Sequence, residues 1–210
     1  MSTRFCLIRH GETDWNAQKR VQGQIDIDLN AVGEAQARAL ADALGEHSFA
    51  AVYSSDLARA WRTACIAVQA RNIAVLPAPT LRERHFGVLQ GLTAAEAGMV
   101  NPAAYRLHQQ RNPDFNYETG ESLNRFAARV LEGLAALAER HAGESVLAFT
   151  HGGVLDVVYR AATGRAIDAP RDFPLGNAAL NWLDYRAGRW HLIGWGDSRH
   201  LRAALDELPG

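Results

Sequence analysis

Apolar residues recur along the chain with two periods, and the two periods alternate. Short apolar runs bounded by Gly, Pro or Ser are typical of buried strands, and they occupy residues 3–8, 50–54, 73–76, 146–149, 178–185 and 190–194. Apolar residues spaced three and four apart predict amphipathic helices at residues 31–46, from about residue 57, and at residues 123–143 and 154–163. Strands that alternate with helices predict an α/β fold.

The order of these elements predicts a three-layer α/β/α sandwich around a mainly parallel six-stranded sheet. The last two strands flank Ala187-Gly188, which predicts a hairpin and therefore one antiparallel strand. Asn30 is a predicted N-cap, and Thr93 and Glu96 have the spacing of a capping box. Because no linker or repeat interrupts the pattern, we predict a single domain over residues 1–210, with a lid-like insertion at about residues 84–116.

Charge and composition then limit the classes of function. The net charge is −1 without long runs of like charge, so we expect a small-molecule partner, with no nucleic acid and no membrane. Lys19 is the one lysine among 22 basic residues, which excludes a Walker A phosphate loop and a Schiff-base mechanism in this chain.

Cysteine usage and the start of the chain predict the compartment. Cys6 and Cys65 are expected to be buried thiols in a reducing environment, because neither belongs to a CxxC pair. The apolar run at residues 5–8 is too short for a signal peptide, so a cytoplasmic location is expected. The oligomeric state is left open, with a homodimer as one option.

The first and fourth predicted strands each end in a histidine followed by glycine, at His10 and His151. In an open parallel sheet the ligand crevice lies beyond the carboxyl ends of the strands, so the two histidines share one pocket if their strands are neighbours. Arg9 precedes the first histidine, and Arg59 begins the helix after the second strand. Two arginines, two histidines and helix N-termini together favour a compact dianion such as a phosphoryl group.

Further short motifs extend this pattern over nearly the whole chain, in an order that agrees with the predicted topology. They are Arg9-His10-Gly11-Glu12-Thr13, Trp15-Asn16, Gln22-Gly23, Ser54-Ser55-Asp56-Leu57 with Arg59-Ala60, Glu83 within residues 81–91, Gly120-Glu121-Ser122-Leu123, Thr150-His151-Gly152-Gly153 and His200-Leu201. Taken together, the motifs resemble the signature of the histidine phosphatase superfamily, the phosphoglycerate mutase-like phosphatases.

The resemblance implies an enzyme that works through a phosphohistidine, with no metal and no cofactor. It implies that His10 is the nucleophile and that Arg9, Arg59 and His151 hold the phosphoryl oxygens. Glu83 would give a proton to the leaving group and then activate water. These roles are physically consistent, since a histidine must be neutral to attack and neighbouring arginines favour its neutral form. The further substrate contacts expected are Thr13, Asn16, Gln22, Gly23, His85 and Gly152.

The resemblance covers two reactions, hydrolysis of small phosphorylated metabolites and phosphoryl transfer by a phosphoglycerate mutase. Residues 81–91 are similar to the mutase form of that block. Residues 92–116, however, are short and offer only Arg106 and Arg111 for a second acidic group. We therefore expect a phosphomonoesterase that holds the phosphoryl group firmly and the leaving group loosely.

Two alternatives come from other classes. A metal-dependent hydrolase would use His10, His85 and His151 with nearby carboxylates, although their spacings match no compact ligand motif. A non-catalytic phosphate sensor would use the same cradle, but the joint presence of His10, Glu83 and His151 argues against it. Sensitivity to a chelator and a turnover assay distinguish these alternatives from a phosphatase.

Overall fold

The computed structural model describes residues 1–45 and 47–202, in which a single sheet is flanked by helices. The strands are β1 (Thr3–Arg9), β2 (Ala51–Ser54), β3 (Val75–Pro77), β4 (Ser145–Thr150), β5 (Leu180–Arg186) and β6 (Arg189–Asp197). The helices are α1 (Asp14–Ala17), α2 (Ala31–Ala43), α3 (Ala58–Val68), α4 (Ala94–Val100), α5 (Pro102–Gln109), α6 (Leu123–Arg140) and α7 (Gly152–Thr163).

The six strands lie in the order β3-β2-β4-β1-β5-β6. The pairs β1–β4, β2–β4 and β2–β3 are parallel, whereas β5 runs antiparallel to both β1 and β6. Ala187 and Gly188 join β5 to β6 with φ angles of 49° and 73°, as a two-residue hairpin turn requires. The structure thus confirms the predicted sheet with its one antiparallel strand.

Alternate side chains of β1 enter two separate cores, one on each face of the sheet. Phe5 and Leu7 pack with α6 and α7, while Cys6 and Ile8 pack with α2 and α3. All four side chains are fully buried. Burial of one large apolar side chain contributes about 1.5–3 kcal/mol, so both faces of the central strand stabilise the fold. This arrangement is the predicted three-layer sandwich.

Helix starts were predicted well, and one side-chain environment was predicted wrongly. The Asn30 side chain accepts from the Gly33 amide at the start of α2, and Thr93 begins α4 in the predicted capping box. Helix α2 ends at Ala43, and residue 46, where the predicted helix ends, lies outside the described residues. Cys65 is exposed instead of buried, because it falls one position beyond the buried stripe of α3.

Residues 84–116, called the lid-like segment below, carry α4 and α5 and lie over one end of the sheet. They have a small core of their own, formed with Tyr117, in which Leu89, Ala97 and Ala104 are buried. Arg20 ties this segment to the rest of the molecule, because its Nη1 donates to the Gly91 carbonyl at 2.7 Å and to the Glu96 carboxylate at 2.5 Å. Among the described helices, none is long and apolar enough to cross a membrane.

Candidate active site

The carboxyl ends of β1 and β4 bring the two predicted histidines together. Arg9 and Thr150 are register partners in this parallel pair, so the next residue of each strand, His10 and His151, leaves the sheet at the same edge. Their ring centroids lie 5.2 Å apart, and both side chains are buried. The condition set by the sequence, that the two strands be neighbours, is met.

The orientation of the His10 ring leaves one nitrogen available. Its Nδ1 lies 2.7 Å from the Gly11 carbonyl oxygen, which can only accept, so Nδ1 carries the proton of the neutral ring. Burial, followed by the positive charges of Arg59 and Arg9, holds the pKa of His10 well below its usual range. At neutral pH the ring is therefore uncharged, and the lone pair lies on Nε2.

Arg9 and Arg59 form a cationic wall around the histidines. The Arg59 guanidinium donates to the carbonyls of Gly23 at 2.6 Å and Ile25 at 3.0 Å, and Arg9 donates to the Leu175 carbonyl at 2.6 Å. Burial lowers the pKa of both arginines, that of Arg59 to about 10. Both guanidinium groups nevertheless stay charged at neutral pH. The Nε atom of each is buried and has no hydrogen-bond partner among the described residues. The wall therefore holds unused donors beside the two rings, as an anion site requires.

Glu83 lies between its own loop and the start of α7. Its two carboxylate oxygens accept from the backbone amides of Arg84 at 2.7 Å and Gly153 at 2.9 Å. A Cβ atom on Gly153 would lie 2.1 Å from the Glu83 Oε1 atom, so only glycine fits this close approach. The carboxyl group is thereby fixed at the N-terminus of the helix that follows His151.

His151 is held from the side by Ser55, a residue of the Ser54-Ser55-Asp56-Leu57 motif to which the sequence alone assigned no role in the site. Its Nε2 lies 2.8 Å from the Ser55 hydroxyl oxygen, and both residues are fully buried. Its Nδ1 is buried without a partner in the described part of the chain. Burial, followed by the charges of Arg59 and Arg9, holds the pKa of His151 well below its usual range. Like His10, it is neutral at physiological pH.

The predicted contacts in the loop after β1 lie close to this wall. Thr13 and Asn16 form a capping box at α1, in which the Asn16 side-chain oxygen accepts from the Thr13 amide at 3.1 Å. Gln22 is buried and its Oε1 has no partner among the described residues. Gly23 has a φ of 54°, and a Cβ there would meet Gln90 Oε1 at 2.0 Å. Glycine is thus required where the loop turns towards Arg59.

His85 is one of the predicted contacts that do not line the main cavity, and Thr13, Asn16, Gln22 and Gly23 also lie outside its wall. Its Nδ1 accepts from the Gly87 amide at 3.2 Å, and its own amide donates to the Glu121 carboxylate at 3.0 Å. The side chain is engaged within the lid-like segment and is absent from the cavity wall.

A cavity of about 940 Å³ lies beside the two histidines. Arg9, Glu83 and Gly152 line its wall, whereas His10, His151 and Arg59 do not. Four further basic residues line it, two of which already bind protein groups. Arg84 donates to backbone carbonyls, and Arg111 donates to Asp156 at 2.6 Å. The others are Lys19 and Arg171, whose side chains are exposed and make no hydrogen bond or ion pair with described residues.

Sequence reasoning assigned no role in the site to three neutral residues that hold it together. The Thr63 hydroxyl accepts from the Gly11 amide at 2.9 Å and donates to the Arg59 carbonyl at 2.6 Å. The Asn177 side chain donates to the His10 carbonyl at 2.8 Å. The third is Ser55. Thr63 follows Arg59 by one helical turn, which was a usable signal, whereas nothing local connects Asn177 with His10.

Within residues 1–45 and 47–202, no group of three His, Cys, Asp or Glu side chains is arranged to hold a metal ion. The metal-dependent alternative would need such a group. In particular, His85 is directed into its own loop and is not one of the groups around His10.

Residues 5–198 match the family profile described as Histidine phosphatase superfamily (branch 1). The chain is 43% identical over 202 residues to the Metal-independent phosphoserine phosphatase of Arabidopsis thaliana. The matched region covers 95% of this chain and 83% of that protein. It is 36% identical over 213 residues to the Probable phosphoglycerate mutase GpmB of Enterobacter sp. (strain 638), covering 96% and 97% of the two chains.

A solved structure of Bacillus stearothermophilus YhfR superposes with a TM-score of 0.88 at 32% identity, covering 95% of this chain and all of that one. The sequence profile and the fold therefore agree with one family throughout the matched length. The chain belongs to the histidine phosphatase superfamily, branch 1, and is a phosphomonoesterase for small phosphorylated compounds.

Proposed function

We propose that the chain hydrolyses phosphomonoesters by transferring the phosphoryl group to Nε2 of His10. The observation that carries the proposal is the hydrogen bond from Nδ1 to the Gly11 carbonyl, which leaves the Nε2 lone pair unprotonated in a neutral ring. The Nε2–P bond forms as the bond from phosphorus to the leaving-group oxygen breaks. Water then attacks phosphorus and returns His10 to its neutral state.

The phosphoryl oxygens are held by Arg9, Arg59 and His151, with Thr13, Asn16, Gln22, Gly23 and Gly152 forming the nearby wall. The unpartnered Nε atoms of both arginines and the unpartnered Nδ1 of His151 support this assignment. Each is a buried polar atom that a bound dianion would satisfy, and buried polar atoms are rarely left unpaired. Charge on the transferring group is spread over its oxygens, where these donors act.

Glu83 serves as proton donor to the leaving group and then as the base that activates water. Its carboxyl group lines the cavity next to Gly152 and is fixed by the Arg84 and Gly153 amides. Positioned proton transfer of this kind contributes about 10² to 10⁴-fold to rate. With the phosphoryl group on His10, the same group faces the incoming water.

The leaving group is proposed to be small and acidic. Lys19 and Arg171 line the cavity and have no carboxylate partner among the described residues. The positive charge of Arg171 lowers the pKa of Arg9, so the two guanidinium groups lie near each other. From the sequence, only Arg106 and Arg111 were counted as cations for the leaving group. Lys19 and Arg171 lie outside the lid-like segment and were not counted, so the leaving group is held more firmly than the sequence predicts. Phosphoserine, for which the Arabidopsis relative is named, and 3-phosphoglycerate both belong to this class of substrate, because each carries a carboxylate on its leaving group.

The lid-like segment, within a single domain, is proposed to cover the substrate. Its residues Phe86, Leu89 and Ala97 line the same cavity as Arg9. Because it has its own small core, the segment can act as one unit against the sheet.

A substrate screen and a matched pair of variants test this function. Phosphoserine, 3-phosphoglycerate, sugar phosphates, nucleotides and p-nitrophenyl phosphate are assayed for phosphate release, with and without excess EDTA. We expect turnover that survives EDTA, and its loss in His10→Ala with retained folding by circular dichroism. Loss on chelation, restored by a divalent ion, would support the metal-dependent hydrolase instead, and absence of turnover on the whole panel would support the phosphate sensor.

The acidic leaving group is tested by Arg171→Gln. We expect KM for phosphoserine or 3-phosphoglycerate to rise about five- to tenfold, since a hydrogen bond to a charged group contributes about 1.5–3 kcal/mol before solvent exposure weakens it. The KM for p-nitrophenyl phosphate should stay unchanged. Arg186→Gln, an exposed arginine at the end of β5, is the control. Equal KM changes for both kinds of substrate would contradict recognition of a carboxylate.

A further inference from the structure

A buried hydroxyl beside His151 has no part in the chemistry described so far. Ser55 follows β2 directly, and its Oγ lies 2.8 Å from Nε2 of His151. The Ser55 amide donates to the Phe149 carbonyl of β4 at 2.9 Å, two residues before the histidine. The hydroxyl and the ring are therefore fixed relative to each other by neighbouring strands.

The two ring nitrogens of His151 have different surroundings. Nε2 faces only the Ser55 hydroxyl, whereas Nδ1 is buried beside His10 with no partner in the described residues. A neutral imidazole carries a proton on one nitrogen only. If Nδ1 is to meet a phosphoryl oxygen, it must be the protonated nitrogen, because a lone pair there would repel the anion.

The proton on Nδ1 fixes the direction of the other hydrogen bond. Nε2 must then accept, so the Ser55 hydroxyl must donate to it. The surroundings of Ser55 agree with this direction, since the Leu57 amide points at the same Oγ from 3.4 Å and can only donate. The hydroxyl thus has a donor on one side and a free acceptor, Nε2, on the other.

We propose that Ser55 is a positioning residue that holds His151 in the tautomer with the proton on Nδ1. It acts through His151 and touches neither the phosphoryl group nor the leaving group. The assignment rests on the proposed role of His151 as a donor to the phosphoryl oxygens. In effect, β2 supplies the hydroxyl that prepares a donor at the end of β4.

Kinetics of Ser55→Ala, compared with Ser54→Ala, test the proposal. Ser54 is equally buried, but its hydroxyl donates to the Ser55 carbonyl and not to His151. We expect kcat for p-nitrophenyl phosphate to fall about three- to tenfold in Ser55→Ala, the range of one lost hydrogen bond, and to stay near wild type in Ser54→Ala and Ser55→Thr. In a His151→Ala background, Ser55→Ala should cause no further loss. Equal effects of Ser55→Ala in both backgrounds would overturn the proposal.

Nitrogen-15 NMR of the vanadate-bound wild-type enzyme reads the tautomer directly and needs no variant. We expect His151 to show a protonated Nδ1 and an unprotonated Nε2, with the Nδ1 signal shifted by vanadate. A protonated Nε2 would overturn the role of Ser55 even if the variants do not fold. Signals of His151 that do not respond to vanadate would instead remove the proposed phosphoryl contact, on which the role of Ser55 depends.

Discussion

At the residue scale, the two histidines are kept neutral by the same groups that prepare an anion site. Burial is the first cause for both His10 and His151, and the charges of Arg59 and Arg9 add to it. A cationic histidine in this place would be repelled by two buried guanidinium groups. The positive charge of the site is therefore carried by the arginines, which stay protonated, while His10, the proposed nucleophile, stays uncharged.

This arrangement predicts a stability that depends on pH. A histidine whose pKa is lowered by folding binds a proton more readily in the unfolded state. As the pH falls below the unfolded-state pKa, near 6.5, protonation therefore favours unfolding and stability is lost. Between pH 7.5 and 5.5, we expect His10 to account for a decrease of up to about 1.4 kcal/mol in the free energy of unfolding. Urea unfolding should show a smaller decrease in His10→Gln, whereas a decrease equal to that of wild type would contradict a buried neutral His10.

The proposed role of Glu83 predicts a dependence on the leaving group. An alkoxide needs a proton when it leaves and a nitrophenolate does not, so Glu83→Gln should slow phosphoserine about 10² to 10⁴-fold and p-nitrophenyl phosphate much less. Pre-steady-state release of nitrophenol isolates the first step from the later attack of water. If that first step slows as much as phosphoserine turnover does, Glu83 is not the proton donor.

At the scale of elements, residues 151–153 at the start of α7 supply the second histidine, the cavity wall at Gly152 and the backbone amide that binds the Glu83 carboxylate. Gly153→Ala puts a Cβ atom 2.1 Å from the Glu83 Oε1 atom, so the carboxyl group must move. We expect the variant to fold and to lose about tenfold or more in kcat for phosphoserine. Gly98→Ala in α4, where the new Cβ lies 3.7 Å from the Tyr105 ring, is the control. Retained kcat in Gly153→Ala would show that the position of Glu83 is not critical.

Element positions followed from local patterns in the sequence, and the supporting contacts of the site did not. The strand ends at His10 and His151 could be predicted because apolar runs and following glycines are local signals. Ser55 and His151 are 96 residues apart, and Asn177 and His10 are 167 apart, so their hydrogen bonds depend on the order of the strands. Cys65 was predicted to be buried and is exposed, because one position along a helix separates a buried residue, Ala64, from an exposed one.

At the scale of the whole molecule, the cavity brings together charges from distant parts of the chain. Lys19 comes from the loop after α1 and Arg171 from the loop after α7, while Arg84 and Arg111 lie in the lid-like segment. The prediction from the sequence counted only the basic residues in residues 92–116, so it gave too few basic residues for the pocket. Lys19 and Arg171, the two of these cations whose side chains have no partner among the described residues, are the observation that favours the mutase as a second candidate, because a mutase must hold a second acidic group.

Exposure of the pocket decides which of the two reactions we expect. Lys19 and Arg171 are exposed, so the outer part of the cavity is in contact with water, and we expect this water to reach a phosphorylated His10. A mutase must instead enclose the intermediate and exclude water until the phosphoryl group is recaptured. With 3-phosphoglycerate as substrate, with and without 2,3-bisphosphoglycerate, we expect inorganic phosphate to form and 2-phosphoglycerate to stay a minor product. Rapid isomerisation with negligible phosphate release would mean that the lid-like segment closes over Lys19 and Arg171 and that the enzyme works as a mutase.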